Sequence, residues 1–109
     1  MNTDIIFSLM TNIGPERPVG FPQYRWRTRD NEGHDATMTL ENVRDNMSSL
    51  TSIIPTTNIE DMPEVYQRRV VGVPGAWVRY FRILVTLVTY YCQGQGLGEG
   101  DVCHSYIEA

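Results

Sequence analysis

Residues 24–40 of this chain have the sequence YRWRTRDNEGHDATMTL, and this stretch decides the fold. In its first six residues Tyr, Trp and Thr alternate strictly with three arginines, which is the period of a strand with one aromatic and one cationic face. Turn-forming residues follow at 30–33, and apolar residues then alternate with threonine from 36 to 40. We therefore predict an antiparallel β-hairpin over residues 23–40.

Apolar residues at helical spacing flank this hairpin. Residues 3–13 predict a short N-terminal helix, and residues 43–54 predict an amphipathic helix directly after the hairpin. A further helix is expected to begin at Asp61, whose side chain would cap it in a capping box with Glu64. Helices thus precede and follow the strand pair.

Residues 76–92 form the most apolar segment, and two signals conflict in it. The many Val, Ile, Thr and aromatic residues favour a strand. The polar residues recur every three or four positions, however, which places them on one stripe of a helix. These residues are Arg79, Arg82, Thr86, Thr89 and Gln93. We give the periodicity more weight and predict a helix, which is too short and too charged to span a bilayer.

Together these elements predict a single α+β domain in which a small antiparallel hairpin or sheet packs against three to four helices. A chain of 109 residues supports one modest core. We assign residues 1–22 to an N-terminal helix or arm with a proline-rich connection and residues 23–92 to the core. Residues 93–109 form a glycine-rich loop and a C-terminal tail, in which residues 101–107 could return as a short strand.

Charge and cysteine content limit the classes of function. The formal net charge is -4, so any basic site must be local. All nine basic residues are arginine, whose planar guanidinium suits carboxylates, phosphates and interfaces. Cys92 and Cys103 are too few for a disulfide framework, and no secretory signal is recognisable. We expect two ordinary thiols, with a disulfide that closes the glycine-rich loop as the alternative. The protein is expected to be cytoplasmic, or in the host cytoplasm or virion if it is viral.

No nucleotide, cofactor or metal motif is recognised. The glycine-rich run at 94–100 lacks the third glycine of a dinucleotide fingerprint, the lysine of a phosphate loop and the helix that should follow. Cys92 and Cys103 are separated by ten residues, where a zinc knuckle has two to four. We therefore predict neither a cofactor nor a metal.

A set of acid–base residues gives one enzymatic alternative. In an RNase-like transesterification, Glu41 or His34 would be the base, His104 the acid, and an arginine of the first strand would hold the phosphate. Nothing in the spacing of these residues requires this arrangement, and solvated histidines are common in turns and near chain ends. No catalytic residue is therefore assigned.

The arginine strand is the first of two candidate binding surfaces. Its arginines could contact phosphate or another anionic partner, and bases could stack on its aromatic residues if those faced outward. In the alternative arrangement the aromatic residues enter the core and the arginines pair with the chain's own acids. The residues assigned to this surface are Tyr24, Arg25, Trp26, Arg27 and Arg29.

The apolar helix at 76–92 is the second candidate surface. Apolar side chains surround most of it, and short neighbouring helices would leave part of it uncovered, so it could close against a second copy of the chain. A well-covered central helix is the alternative. The residues assigned to this interface are Trp77, Phe81, Leu84 and Tyr91.

We therefore expect a non-enzymatic interaction or assembly protein that binds itself or another protein. Small viral and phage structural, accessory or inhibitor proteins are the analogy, which rests only on the short chain and the lack of a catalytic motif. We expect no membrane or small-molecule partner. The alternatives are a nucleic-acid or anion-binding module that uses the arginine strand and a small RNase-like hydrolase.

Overall fold

The computed structural model describes residues 6–8, 10, 24–29, 32–52, 54–94 and 105–108. The hairpin prediction is confirmed, since β1 (Arg25–Arg29) pairs antiparallel with β2 (Asp35–Thr39). A third strand, β3 (Ser105–Glu108), pairs antiparallel with the other edge of β1. The sheet order is β2-β1-β3, so the arginine strand is the central one.

Most helices of the described residues lie between β2 and β3 in the chain, and they confirm the predicted α+β class. They are α1 (Leu40–Asp45), α2 (Met47–Thr51), a 3₁₀ helix (Ile59–Asp61), α3 (Glu64–Arg69) and α4 (Gly75–Gly94). Residues 6–8 and 10 are also helical, while the rest of the predicted N-terminal helix lies outside the described residues.

The single helix predicted over residues 43–54 is wrong, because the structure has two short helices that meet at Asn46. A capping box between Thr39 and Asn42 starts α1 directly after β2. Asn46 then leaves the helical region, with φ -119° and ψ 19°, and its Nδ2 donates to the Asn42 carbonyl at 2.8 Å. An asparagine side chain that competes for a backbone partner in this way favours a helix end.

The capping box predicted at Asp61 is also wrong. Asp61 ends the 3₁₀ helix, and α3 begins later with Pro63 as its N-cap, without a side-chain hydrogen bond. The proline ring fixes its own φ, here -53°, and disfavours the helical region for the preceding Met62, whose ψ is 156°. The chain is therefore extended at Met62 and becomes helical again only after Pro63.

The predicted helix at 76–92 is confirmed, and its polar stripe holds another segment of the chain. Thr86, which is only 8% exposed, accepts a hydrogen bond from the Thr57 N–H and donates one to the Arg82 carbonyl, both at 2.8 Å. Arg82 in turn donates through Nε to the Thr57 carbonyl and through Nη2 to Asn58 Oδ1, both at 3.0 Å. The connection at 55–58 is thereby fixed along α4.

The core lies between the inner face of the sheet and α4. Trp26 of β1 is fully buried, and its ring meets Tyr91 of α4 edge-on with the centroids 5.6 Å apart. Met38 of β2 and Ile107 of β3 bury their side chains beside it. From α4 and the helices that cover it, the core receives Ile6, Leu40, Val43, Leu50, Phe81, Leu84 and Leu87.

The Thr86→Val substitution tests the role of the polar stripe. It keeps the shape of the side chain but leaves the Thr57 N–H without its acceptor, so we expect the free energy of unfolding to fall by about 1–2 kcal/mol. Urea denaturation followed by circular dichroism measures this change. Thr89→Val, on the exposed part of the same stripe, is the matched control and should change stability by less than about 0.5 kcal/mol. Equal effects of the two substitutions would contradict this role.

Candidate binding face of the sheet

The outer face of the sheet carries the arginines of β1. Side chains alternate along a strand, and because Trp26 and Thr28 are buried, the arginines on either side of them point outward. The outward positions of β2 and β3 follow from the strand register. We name this surface the arginine face, and it consists of Arg25, Arg27, Arg29, Asp35, Thr37, Tyr106 and Glu108.

Carboxylates from the two edge strands contact the row of arginines. Glu108 lies opposite Arg25 in the register and accepts a hydrogen bond from Arg27 Nε, while its Oε1 is 3.8 Å from Arg25 Nε. At the other end, Asp35 Oδ1 accepts from Arg29 Nε at 2.9 Å. This hydrogen bond, followed by the Asp35 charge, raises the pKa of Arg29. Each of the three guanidinium groups is thus in contact with a carboxylate of an edge strand.

Tyr106 is the aromatic residue of this face. It lies directly opposite Arg27 in the β1–β3 register and is 53% exposed. Among the described residues it is the one exposed tyrosine, tryptophan or phenylalanine. An open depression of about 480 Å³ runs beside it across the sheet, with Arg27, Arg29 and Thr37 in its lining. A cationic row and an accessible ring therefore border the same surface.

The position of β3, and with it that of Tyr106 and Glu108, is fixed by contacts from α3. Arg69 in the last turn of α3 donates through Nη1 to the Ile107 carbonyl at 2.6 Å. The Arg69 carbonyl accepts a hydrogen bond from the Tyr24 hydroxyl at 2.7 Å. Because Ile107 is also buried, the short edge strand is held both by its side chain and by its backbone.

The expectation of two ordinary thiols is wrong, because Cys92 near the end of α4 is disulfide-bonded. The only partner that the sequence offers is Cys103, which lies outside the described residues. Wide spacing excludes a zinc knuckle, but a ten-residue loop is readily closed by a disulfide.

The aromatic residues assigned to the arginine strand do not face outward. Trp26 is fully buried. Tyr24 is half-buried, its ring centroid 5.1 Å from that of Phe81 and its hydroxyl bound to the Arg69 carbonyl. Neither ring is positioned for base stacking. Sequence reasoning missed Tyr106 because alternation over residues 101–107 indicated a strand but not which strand it would join.

The apolar interface assigned to α4 needs correction. Phe81, Leu84 and Tyr91 are at most 1% exposed and belong to the chain's own core. Trp77 is half-buried, with the Arg44 guanidinium 5.8 Å from its ring centroid. The prediction underestimated the cover that the inner sheet face and the helices around residues 6–10 and 40–50 provide. The alternative of a well-covered central helix describes α4 better.

The two alternative bases of the RNase-like set, His34 and Glu41, lie far apart, so at most one of them could belong to it. His34 precedes β2 and Glu41 follows it, so the five residues of β2, at about 3.4 Å each, separate them by roughly 17 Å. The exposed His34 instead has Nδ1 3.8 Å from Glu32 Oε2. His104, the acid in both arrangements, lies outside the described residues, so the RNase-like hypothesis stays a prediction.

The described part of the chain has neither a cluster of metal ligands nor a membrane-spanning helix. There, no three His, Cys, Asp or Glu side chains are grouped so that they could hold a metal ion. Nor does any helix among those residues combine the length and apolar character needed to cross a membrane. Comparisons with protein-family models, curated proteins and solved structures found no match to this chain.

Reduction of the disulfide should destabilise the protein. A cross-link that closes a loop of this length contributes about 3 kcal/mol in the chain-entropy description. We therefore expect Cys92→Ser, and wild type in reductant, to unfold at clearly lower urea concentration than the oxidised protein. The reductant should not affect Cys92→Ser further. Full alkylation of both cysteines in unreduced, denatured protein, detected by mass spectrometry, would contradict the bond.

Proposed function

We propose that this chain is a non-enzymatic binding protein whose arginine face holds an anionic partner. The observation that carries the proposal is the row of Arg25, Arg27 and Arg29, directed outward from the central strand. Successive arginines are two residues apart, so the row repeats about every 6.8 Å and extends over roughly 14 Å. A regular row of guanidinium groups suits a partner with repeated phosphate or carboxylate groups.

Anchoring of the row supports binding of this kind. Rigid strands position side chains more accurately than loops, and the sheet pairs both edges of β1. Glu108 and Asp35 restrict the guanidinium groups by contacts at Nε, which lowers the entropy lost when a partner binds. The two acids also compete with the partner, so affinity depends on directed contacts more than on a broad positive field.

The same features favour binding over catalysis. The carboxylates of the arginine face, Asp35 and Glu108, both accept hydrogen bonds from arginines of the same face, which suits them to position the guanidinium groups. Self-assembly, which the sequence also suggested, has less support, because three of the four apolar residues assigned to its interface are buried in the chain's own core. The arginine face is the remaining candidate of the two surfaces that the sequence indicated.

Paired arginine substitutions test the proposal. Fluorescence anisotropy of labelled oligothymidylate and labelled polyglutamate at low salt should show binding of at least one polyanion by the wild-type protein. Arg27→Ala with Arg29→Ala should weaken it at least about tenfold, because charge-assisted contacts to both groups are lost. The matched control is Arg68→Ala with Arg79→Ala, which removes the same charge from exposed helix positions. Equal losses in both double variants, or no binding of either polyanion, would refute the proposal.

Glu108→Gln provides a test in the opposite direction. It removes the carboxylate that occupies Arg25 and Arg27, so binding of the same polyanion should become several-fold tighter. Asp45→Asn makes the same change of charge on α1, beside Arg44 and away from the sheet, and should have a much smaller effect. Weaker binding by Glu108→Gln would show that Glu108 supports the partner rather than competing with it.

A further inference from the structure

We infer that the anionic partner of the arginine face is a single-stranded nucleic acid, with a base stacked on Tyr106 and phosphates held by the arginines. This inference rests on the proposed function and names the chemical class of its partner. It assigns a binding role to Tyr106, a residue for which the anion-binding proposal alone has no use.

Tyr106 is an exposed aromatic residue on the outer face of the sheet. Tyr106 is 53% exposed as a residue, whereas its strand neighbour Ile107 is almost completely buried. Every nucleobase has a flat face that stacks on such a ring, and open sheets present aromatic side chains to single strands in this way. A carboxylate polymer such as polyglutamate has no aromatic ring that could stack on Tyr106.

Tyr106 lies next to the row of arginines in β1. Residues directly opposite in an antiparallel pair have Cβ atoms about 5 Å apart, so the ring lies immediately beside Arg27. A base on Tyr106 would bring its own backbone phosphate over the row in β1. Arg25 and Arg29, on either side of Arg27, are then positioned along the path of the neighbouring phosphates.

The shape and charge of the surface favour a single strand over a duplex. In a duplex the bases are stacked on each other and no face is available to Tyr106. The protein's net charge of -4 and the two carboxylates within the row also disfavour a partner that must be held by many phosphates. With at most three phosphate contacts, the logarithm of affinity should fall with the logarithm of salt concentration with a slope of about -2 or shallower.

The test compares oligothymidylate of about ten nucleotides with an abasic oligomer of the same length, which keeps the phosphates but lacks the bases. Wild-type protein should bind the base-containing strand about tenfold more tightly than the abasic strand in fluorescence anisotropy. Tyr106→Ala should bind both strands with the affinity that wild type has for the abasic one. Tyr106→Phe, which keeps the ring, should behave as wild type.

Several outcomes would overturn the inference. They are equal binding of the abasic and base-containing strands by wild type, equal losses in Tyr106→Ala and Tyr106→Phe, and binding of the hybridised duplex as tight as that of the single strand. A heparin fragment or polyglutamate that binds more tightly, with the same dependence on Tyr106, would identify another class of partner. The abasic comparison uses wild-type protein and so does not require any variant to fold.

Failure of this inference is distinguishable from failure of the proposed function. If Tyr106 and the bases have no effect but Arg27→Ala with Arg29→Ala still weakens polyanion binding, the arginine face binds an anion and only the nucleic-acid assignment is wrong. If that arginine pair also has no effect beyond its charge-matched control, both proposals fail together.

Discussion

Burial of Trp26 at the centre of β1 is the interaction on which the rest of the structure depends. Removing such a ring from water contributes about 4–6 kcal/mol by its apolar area. Its indole N–H finds no acceptor among the described residues, which costs about 1–3 kcal/mol in return. Because side chains alternate along a strand, a slip by one residue would expose this ring and bury three arginines. The packing of Trp26 into the core therefore also directs the arginines of β1 to the outer face of the sheet.

The edge strands then give that face its chemical character. β2 contributes Asp35, and β3 contributes Glu108 and the exposed ring of Tyr106. β3 has only four residues, and it is held by its pairing with β1 and by Arg69 of α3. Contacts distant from the surface thus determine where the ring and the carboxylate stand. The proposed binding site therefore depends on the contacts that hold β3 as much as on β1.

Repeating patterns of polar and apolar residues correctly predicted the main strand and the main helix. The alternation in residues 24–29 identified β1, and the spacing of the polar residues from Arg79 to Gln93 identified α4 against their strand propensity. Both patterns repeat over many residues, so packing contacts stabilise the element along its whole length. The break at Asn46 and the delayed start of α3 at Pro63 each depend on a single side chain. The spacing of apolar and polar residues carries no information about such effects. The binding face was half predicted, because Arg25, Arg27 and Arg29 were found, whereas Tyr106 and Glu108 reach them only through long-range pairing.

The measurement that tests this account most directly is a titration of the isotope-labelled full chain with oligothymidylate, followed by amide chemical shifts in NMR spectra. The account predicts that the largest shift changes occur in β1 (Arg25–Arg29) and β3 (Ser105–Glu108), while the buried stretch of α4 changes little. Largest changes around the exposed apolar residues Val65 and Val71 of the α3 region, or no change at any residue, would contradict it.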